Sequence, residues 1–210
     1  MELYFSPLAC SLATRITFYE AGYEAQYTRV DTKRKRLENG GDFFAVNPMG
    51  QVPVLRTDDG ELLFENTAIL PYVADRFPAA GLVPATALER ARAQQWLGFI
   101  GTELHKAAFV PLLDPTASED VKRYAREKVA RPMSVLQRHL SEREWLVGAF
   151  SVADIYLAVV LNWARYCDVD LAQWPAVLDF FKRASARPAL ARAFAEEIAL
   201  YRAELAREQA

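Results

Sequence analysis

Asn47-Pro48-Met49-Gly50-Gln51-Val52-Pro53-Val54-Leu55-Arg56, continued by Thr57-Asp58-Asp59-Gly60 and Glu61-Leu62-Leu63-Phe64-Glu65-Asn66, is the stretch on which the fold turns. Residues 53–56 and 61–64 read as short strands, and Asp58-Asp59-Gly60 between them is a turn signal, so the pair forms a hairpin. A helical stretch from Asn66 to Phe77 follows and stops before Pro78, which cannot continue a helix. Toward the N-terminus, residues 2–5 and 26–30 read as two more strands. They flank a helix from Cys10 to Ala21 that ends at Gly22, a suitable residue just past a helix C-terminus. With a short helix near 42–46, the order is β-α-β, helix, hairpin, helix, which predicts an α/β domain over residues 1–78.

Toward the C-terminus the texture changes. Residues 79–87 form a Pro- and Gly-containing linker, and beyond it Ala, Leu, Glu, Arg and Gln dominate. Helical patterns occupy about 88–109, 118–139, 151–166, 174–185 and 188–206 and are punctuated by Pro111, Pro115, Pro175 and Pro188, so residues 88–210 read as an all-α domain. One boundary is sharp. Ser151-Val152-Ala153-Asp154 places a hydroxyl at the N-cap and a carboxylate three residues later, in front of the apolar run Ile155 to Leu161.

Composition removes several function classes. The chain has 210 residues, 52% of them hydrophobic, enough for a sizeable core. Lys and Arg number 25 against 27 Asp and Glu, so the net charge is −2. No basic stripe interleaved with aromatics appears, which argues against nucleic acid as a partner. The one basic run, Lys33-Arg34-Lys35-Arg36, is followed at once by Glu38 and Asp42. No apolar run reaches the ~18 residues a membrane span needs, and no targeting segment is visible, so the expectation is a cytoplasmic protein. Two cysteines, Cys10 and Cys167, cannot form a disulfide framework, and no metal-ligand cluster is expected.

Three places carry chemistry. Cys10 lies five residues past a strand, after Pro7, where the chain should turn into a helix. There its sulfur would meet the N–H groups and dipole of a first turn, which favour thiolate; a buried, inert cysteine would suit the same position. Cys167 ends an apolar helix and reads as packing. Val52-Pro53 opens a strand. If that peptide bond is cis, its backbone N–H and C=O can face an extended peptide-like ligand, while an ordinary trans bond is the commoner case. Glu65-Asn66 runs from a strand end into a helix. It can hold an amino-acid head group, or simply cap the helix through Asn66.

Taken together, these residues resemble the soluble glutathione transferases, and among them the bacterial beta class. The resemblance rests on Cys10 after Pro7, Asn47 to Pro53, Glu65-Asn66-Thr67-Ala68-Ile69-Leu70, Thr102-Glu103-Leu104-His105-Lys106 and Phe150-Ser151-Val152-Ala153-Asp154, and it spans essentially the whole chain. It implies a thioredoxin-like N-terminal domain, an all-helical C-terminal domain and a homodimer. It also implies that Cys10 faces the glutathione sulfur, that Val52 binds the cysteinyl backbone, that Lys35 meets the glycine carboxylate and that Glu65 and Asn66 hold the γ-glutamyl end. Thr102, Glu103 and His105 would line the site, with His105 nearest the sulfur, although a lone histidine among Trp96, Phe99, Ile100 and Phe109 also suits a helical interior. Two positions depart from the family: Asn66 stands where Ser is usual, and Gly98 where an Asn commonly reaches glutathione across the dimer. His139 receives no role.

The thiol activator stays open at this level. Cys10 matches the beta class, Ser11 lies where a further group uses a serine, and Tyr4 where other classes use a tyrosine. The electrophile pocket implied is Leu8, Phe109, Leu112, Leu113, Trp163 and Tyr166, an apolar and aromatic set selecting by shape. The expected reaction is conjugation of glutathione, as co-substrate, to small hydrophobic electrophiles in detoxification. Alternatives are a glutathione-dependent disulfide reductase working through Cys10 alone, since there is no Cys-x-x-Cys, and a non-catalytic ligand-binding module of the same fold.

Overall fold

β1 (Glu2–Phe5) alternates its side chains between two buried faces, and the first domain is built on both. Leu3 and Phe5 join Phe18, Leu55, Ile69 and Val73 on one face, while Tyr4 joins Val30, Phe43 and Val54 on the other. The computed structural model describes residues 1–208. β1 pairs in parallel with β2 (Gln26–Asp31) and antiparallel with β4 (Val54–Arg56). β4 pairs antiparallel with β5 (Leu62–Phe64), completing the expected hairpin. A two-residue strand, β3 (Arg36–Leu37), extends the edge beyond β2, so the sheet order is β3-β2-β1-β4-β5. A strand this short leaves no periodicity to read in the sequence.

Helix α1 (Leu12–Glu20) begins two residues later than the pattern suggested, and α2 (Asn66–Arg76) begins at Asn66 as expected. The late start of α1 has a local cause. The hydroxyl of Ser11 accepts from the Ser6 N–H and donates to the Ser6 carbonyl, both at 3.3 Å, closing residues 6–11 into a turn of their own. Phe43–Ala45 forms a 3-10 turn capped by Asp42, whose side chain accepts from the Phe44 N–H.

The chain divides into two compact units. The first comprises residues 1–81 together with the last helix, α8 (Pro188–Glu208), which lies against α1; the partition therefore differs from the sequence-based one by returning the C-terminal helix to the α/β part. The second, Leu82–Arg187, is helical. α3 (Ala87–Phe99) runs into a π-helical segment, Ile100–Phe109, and then the short α4 (Val110–Leu113). α5 (Glu119–Leu140), α6 (Val152–Leu161) and α7 (Pro175–Ser185) complete it, with 3-10 turns at Asn162–Tyr166 and Leu171–Gln173. α5 packs on the π segment and on α7, and α6 is buried along its whole length. Its start follows the expected chemistry: the Asp154 carboxylate accepts from the Ser151 N–H (2.9 Å), the Ser151 hydroxyl (2.8 Å) and the Leu146 N–H (2.9 Å). Among the described residues, no helix is long and apolar enough to cross a membrane.

Candidate active site

In the first unit the loop from Ser6 to Ser11 carries the thiol. Cys10 is nearly buried, and its Sγ donates to the Val52 carbonyl at 3.3 Å. The Val52–Pro53 bond is cis. Of the first-turn N–H groups that the sequence reading placed near the sulfur, those of Leu12 and Ala13 donate instead to the Ala9 and Cys10 carbonyls at 3.0 and 3.2 Å. Those two donors are thus used within the turn, and what the start of α1 offers a thiol two residues ahead of it is the helix dipole.

Asn66 has a task that its sequence context did not announce. It is the first residue of α2 rather than its cap, and it is buried. Its Nδ2 donates to the Cys10 carbonyl at 2.9 Å and its Oδ1 accepts from the Thr14 hydroxyl at 3.3 Å, so α1, α2 and the thiol turn meet at one amide. Glu65 precedes it with its side chain exposed and its backbone at φ 64°, in the left-handed region.

Lys35 also has a left-handed backbone, at φ 56°, and its Nζ donates to the Gly50 carbonyl at 2.9 Å. Gly50 is required here. Its φ is +59°, and a Cβ would lie 2.9 Å from Phe44 and 3.0 Å from the Lys35 side chain. The Tyr4 hydroxyl accepts from Arg56 Nη2 at 2.7 Å and donates to Glu2 Oε2 at 3.1 Å. Leu8 is buried in the turn, two residues before Cys10, with φ 59°.

In the second unit His105 is buried on the π segment. Its Nδ1 lies 2.7 Å from the Tyr156 hydroxyl, and its ring meets Trp163 edge-on at 4.9 Å. Burial, with Lys106 adding a like charge, holds its pKa down to about 4, so the imidazole is neutral near pH 7. Phe109 packs edge-on to Trp163 at 6.2 Å. Leu112 is half-buried, and Leu113 and Tyr166 are exposed. The Thr102 hydroxyl bonds to the Gly98 carbonyl (3.0 Å) and Glu103 Oε1 (3.2 Å), and both side chains are exposed. Open space surrounds the position a Gly98 Cβ would take.

Tyr156 escaped the sequence reading, and a signal for it existed. It is the one hydroxyl in the buried run Ile155 to Leu161, and a buried tyrosine needs a polar partner. Cys167 is buried, and burial with Asp168 nearby pushes its thiol up to about 11, which makes it inert.

A thiol at the positive end of a helix, against a backbone carbonyl that opens a strand, on a β-α-β and hairpin scaffold followed by helices, defines a thioredoxin-like thiol site with a helical companion unit. The glutathione S-transferase family models match in both parts: the N-terminal domain over residues 9–76 and the C-terminal domain over 102–188. The chain is 40% identical over 199 residues to glutathione S-transferase GstA of Escherichia coli O157:H7, covering 94% of this chain and 98% of that one. A sphingomonad glutathione S-transferase complexed with glutathione superposes with a TM-score of 0.89 at 44% identity, over 94% of this chain and 98% of the other. A beta-class enzyme of Sphingomonas chungbukensis does so with a TM-score of 0.90 at 41% identity, over the same shares. The chain belongs to the glutathione S-transferase family and stands with its bacterial beta class.

Proposed function

We propose that the protein is a glutathione transferase that conjugates the glutathione thiol to small hydrophobic electrophiles. The observation that carries this reading is the 3.3 Å approach of Cys10 Sγ to the Val52 carbonyl, which puts a thiol beside the backbone that an extended tripeptide would follow. Cys10 faces the incoming sulfur, Val52 offers its backbone, and Lys35 keeps ammonium protons beyond its bond to Gly50 for a carboxylate. Glu65, exposed at the start of α2, meets the α-ammonium of the γ-glutamyl end, and Asn66 supports this end through α2 rather than by spending its own amide, which is bound to Cys10 and Thr14.

Thr102, Glu103 and His105 serve from the helical part. His105, being neutral, takes part as a hydrogen-bond partner to S–H rather than as a cation. Geometry favours Cys10 over the two rival activators. The Tyr4 hydroxyl is bound to Arg56 and Glu2, and the Ser11 hydroxyl is bound to Ser6. Lowering the pKa of a thiol from ~8.5 by two units is worth about 2.7 kcal/mol and makes thiolate dominant near neutrality. The thiolate then attacks the electrophile and expels its leaving group. Leu8, Phe109, Leu112, Leu113, Trp163 and Tyr166 form the apolar surface for that electrophile. With this reading go a cytoplasmic homodimer and a functional division into residues 1–78, a linker at 79–87 and residues 88–210, whose last helix packs back on α1.

A second reading rests on the reacting group being a thiol rather than a hydroxyl: Cys10 attacks a glutathione mixed disulfide, takes up the glutathionyl group and releases the other thiol. An activated aryl halide assay and a disulfide reduction assay on the wild type and Cys10→Ala separate the readings. Conjugation by the wild type supports the proposal. Disulfide reduction without conjugation, lost in Cys10→Ala, favours the second reading, and no turnover in either assay refutes both.

A further inference from the structure

Glu197, on α8, has no exposed surface, and it reaches across 189 residues of sequence to the thiol turn. Its Oε2 accepts from the Leu8 N–H at 2.7 Å. Its Oε1 lies 3.1 Å from Arg15 Nε, out of line for a hydrogen bond, and burial, only partly offset by Arg15, pushes the carboxyl's pKa up to about 8, so what it brings to Leu8 near neutrality is an acceptor oxygen rather than a charge. Arg15 is itself fixed. Its guanidinium stacks over Phe5 at 4.3 Å and over Tyr27 at 4.2 Å, and it approaches Glu196 at 3.5 Å. Glu196 is held in turn by the Tyr19 hydroxyl and by Arg192.

The N–H that Glu197 holds belongs to Leu8, a branched residue in the left-handed region, where a Cβ is disfavoured by roughly 1–2 kcal/mol. Such a conformation persists only where its surroundings fix it. On the other side of the turn, Asn66 holds the Cys10 carbonyl. The turn is thus clamped at Leu8 by α8 and at Cys10 by α2.

We propose that Glu197 is a positioning residue for Cys10: by accepting from the Leu8 N–H it keeps Leu8 left-handed and sets the thiol at the start of α1 against Val52. This rests on Cys10 being the reacting thiol of the proposed function. Without the carboxyl group, a buried N–H loses its acceptor, Leu8 relaxes toward an ordinary backbone conformation, and the two residues that follow move with it.

The test is alkylation of Cys10 by iodoacetamide as a function of pH, followed by peptide mass mapping so that Cys167 is counted separately, at a temperature where each variant is folded by circular dichroism. Glu197→Ala is expected to move the midpoint upward, leaving about tenfold less thiolate at a fixed pH below it, because the sulfur leaves the positive end of α1. Glu197→Gln keeps an oxygen for the Leu8 N–H and should stay near the wild type. Glu197→Ala combined with Leu8→Gly should return toward it, since glycine adopts a positive φ without strain. An unchanged midpoint in folded Glu197→Ala overturns the proposal, as does a double variant that remains fully shifted. If Glu197→Ala does not fold, Glu197→Asp, whose shorter side chain withdraws from Leu8, takes its place under the same criteria. The probe needs no glutathione. Absent turnover in the wild type would refute the proposed function while leaving the alkylation comparison readable.

Discussion

The side-chain amide of Asn66 and the backbone carbonyl of Cys10 are joined by a buried 2.9 Å hydrogen bond, so the first residue of α2 fixes the residue that carries the thiol. Asn66→Ala removes the donor and leaves a buried carbonyl without it. The expected loss is about 1–3 kcal/mol of folding stability, measured by urea denaturation, with slower formation of a Cys10–glutathione adduct from oxidised glutathione.

The neutrality of His105 predicts a definite acid sensitivity. The unfolded chain protonates this imidazole near its ordinary 6.5, whereas the folded chain resists until about 4. Between those values the unfolded state binds the extra proton, so stability is present above 6.5 and is lost as pH falls toward 4, by up to about 3 kcal/mol. Asp154, raised to about 6 by burial, works in the opposite sense as pH falls from 6 toward 3.8. The comparison must therefore be between chains: from pH 7 to pH 5 the wild type should lose about 2 kcal/mol of stability relative to His105→Gln, read from denaturation curves of both at each pH.

Asp154→Ala removes the acceptor for the Ser151 N–H, the Ser151 hydroxyl and the Leu146 N–H at once. A loss of about 2–4 kcal/mol is expected, at the upper end of cap deletions because the site is buried. Thermal unfolding would check it, and a fall below ~1 kcal/mol would mean that water replaces the carboxylate.

Gly98 offers a change in the other direction. It sits inside α3 with an ordinary backbone and open space around its missing Cβ. Gly98→Ala should therefore raise stability by roughly 0.5–1 kcal/mol through helix propensity alone, seen as a higher midpoint in urea. Gly98→Asn would supply the side chain that the family resemblance leads one to expect there and, under the proposed function, should tighten glutathione binding measured by calorimetry.

Much of the architecture was legible because its signals are local. The Asp58-Asp59-Gly60 turn, the stop before Pro78 and the Ser151–Asp154 start each set a boundary through residues adjacent in the chain. β3 was not legible, since two residues carry no period. The late start of α1 was hidden as well, because bonds between Ser6 and Ser11 compete with the helical pattern. In the candidate site, residue types and positions could be read, but what each side chain bonds to could not. Asn66 looked like a cap and is a strut, and Tyr156 looked like core and holds His105.

By itself, then, the sequence determined the α/β and helical division, the helix and turn punctuation, and Cys10 as the thiol of interest beside an inert Cys167. Only the tertiary structure decided that the thiol meets the Val52 carbonyl, that His105 is neutral, and that Glu197 closes on Leu8 from the far end of the chain. The physical reason is range. Turn and helix preferences act within a few residues, whereas desolvation and hydrogen-bond pairing depend on which distant groups the packed core brings together.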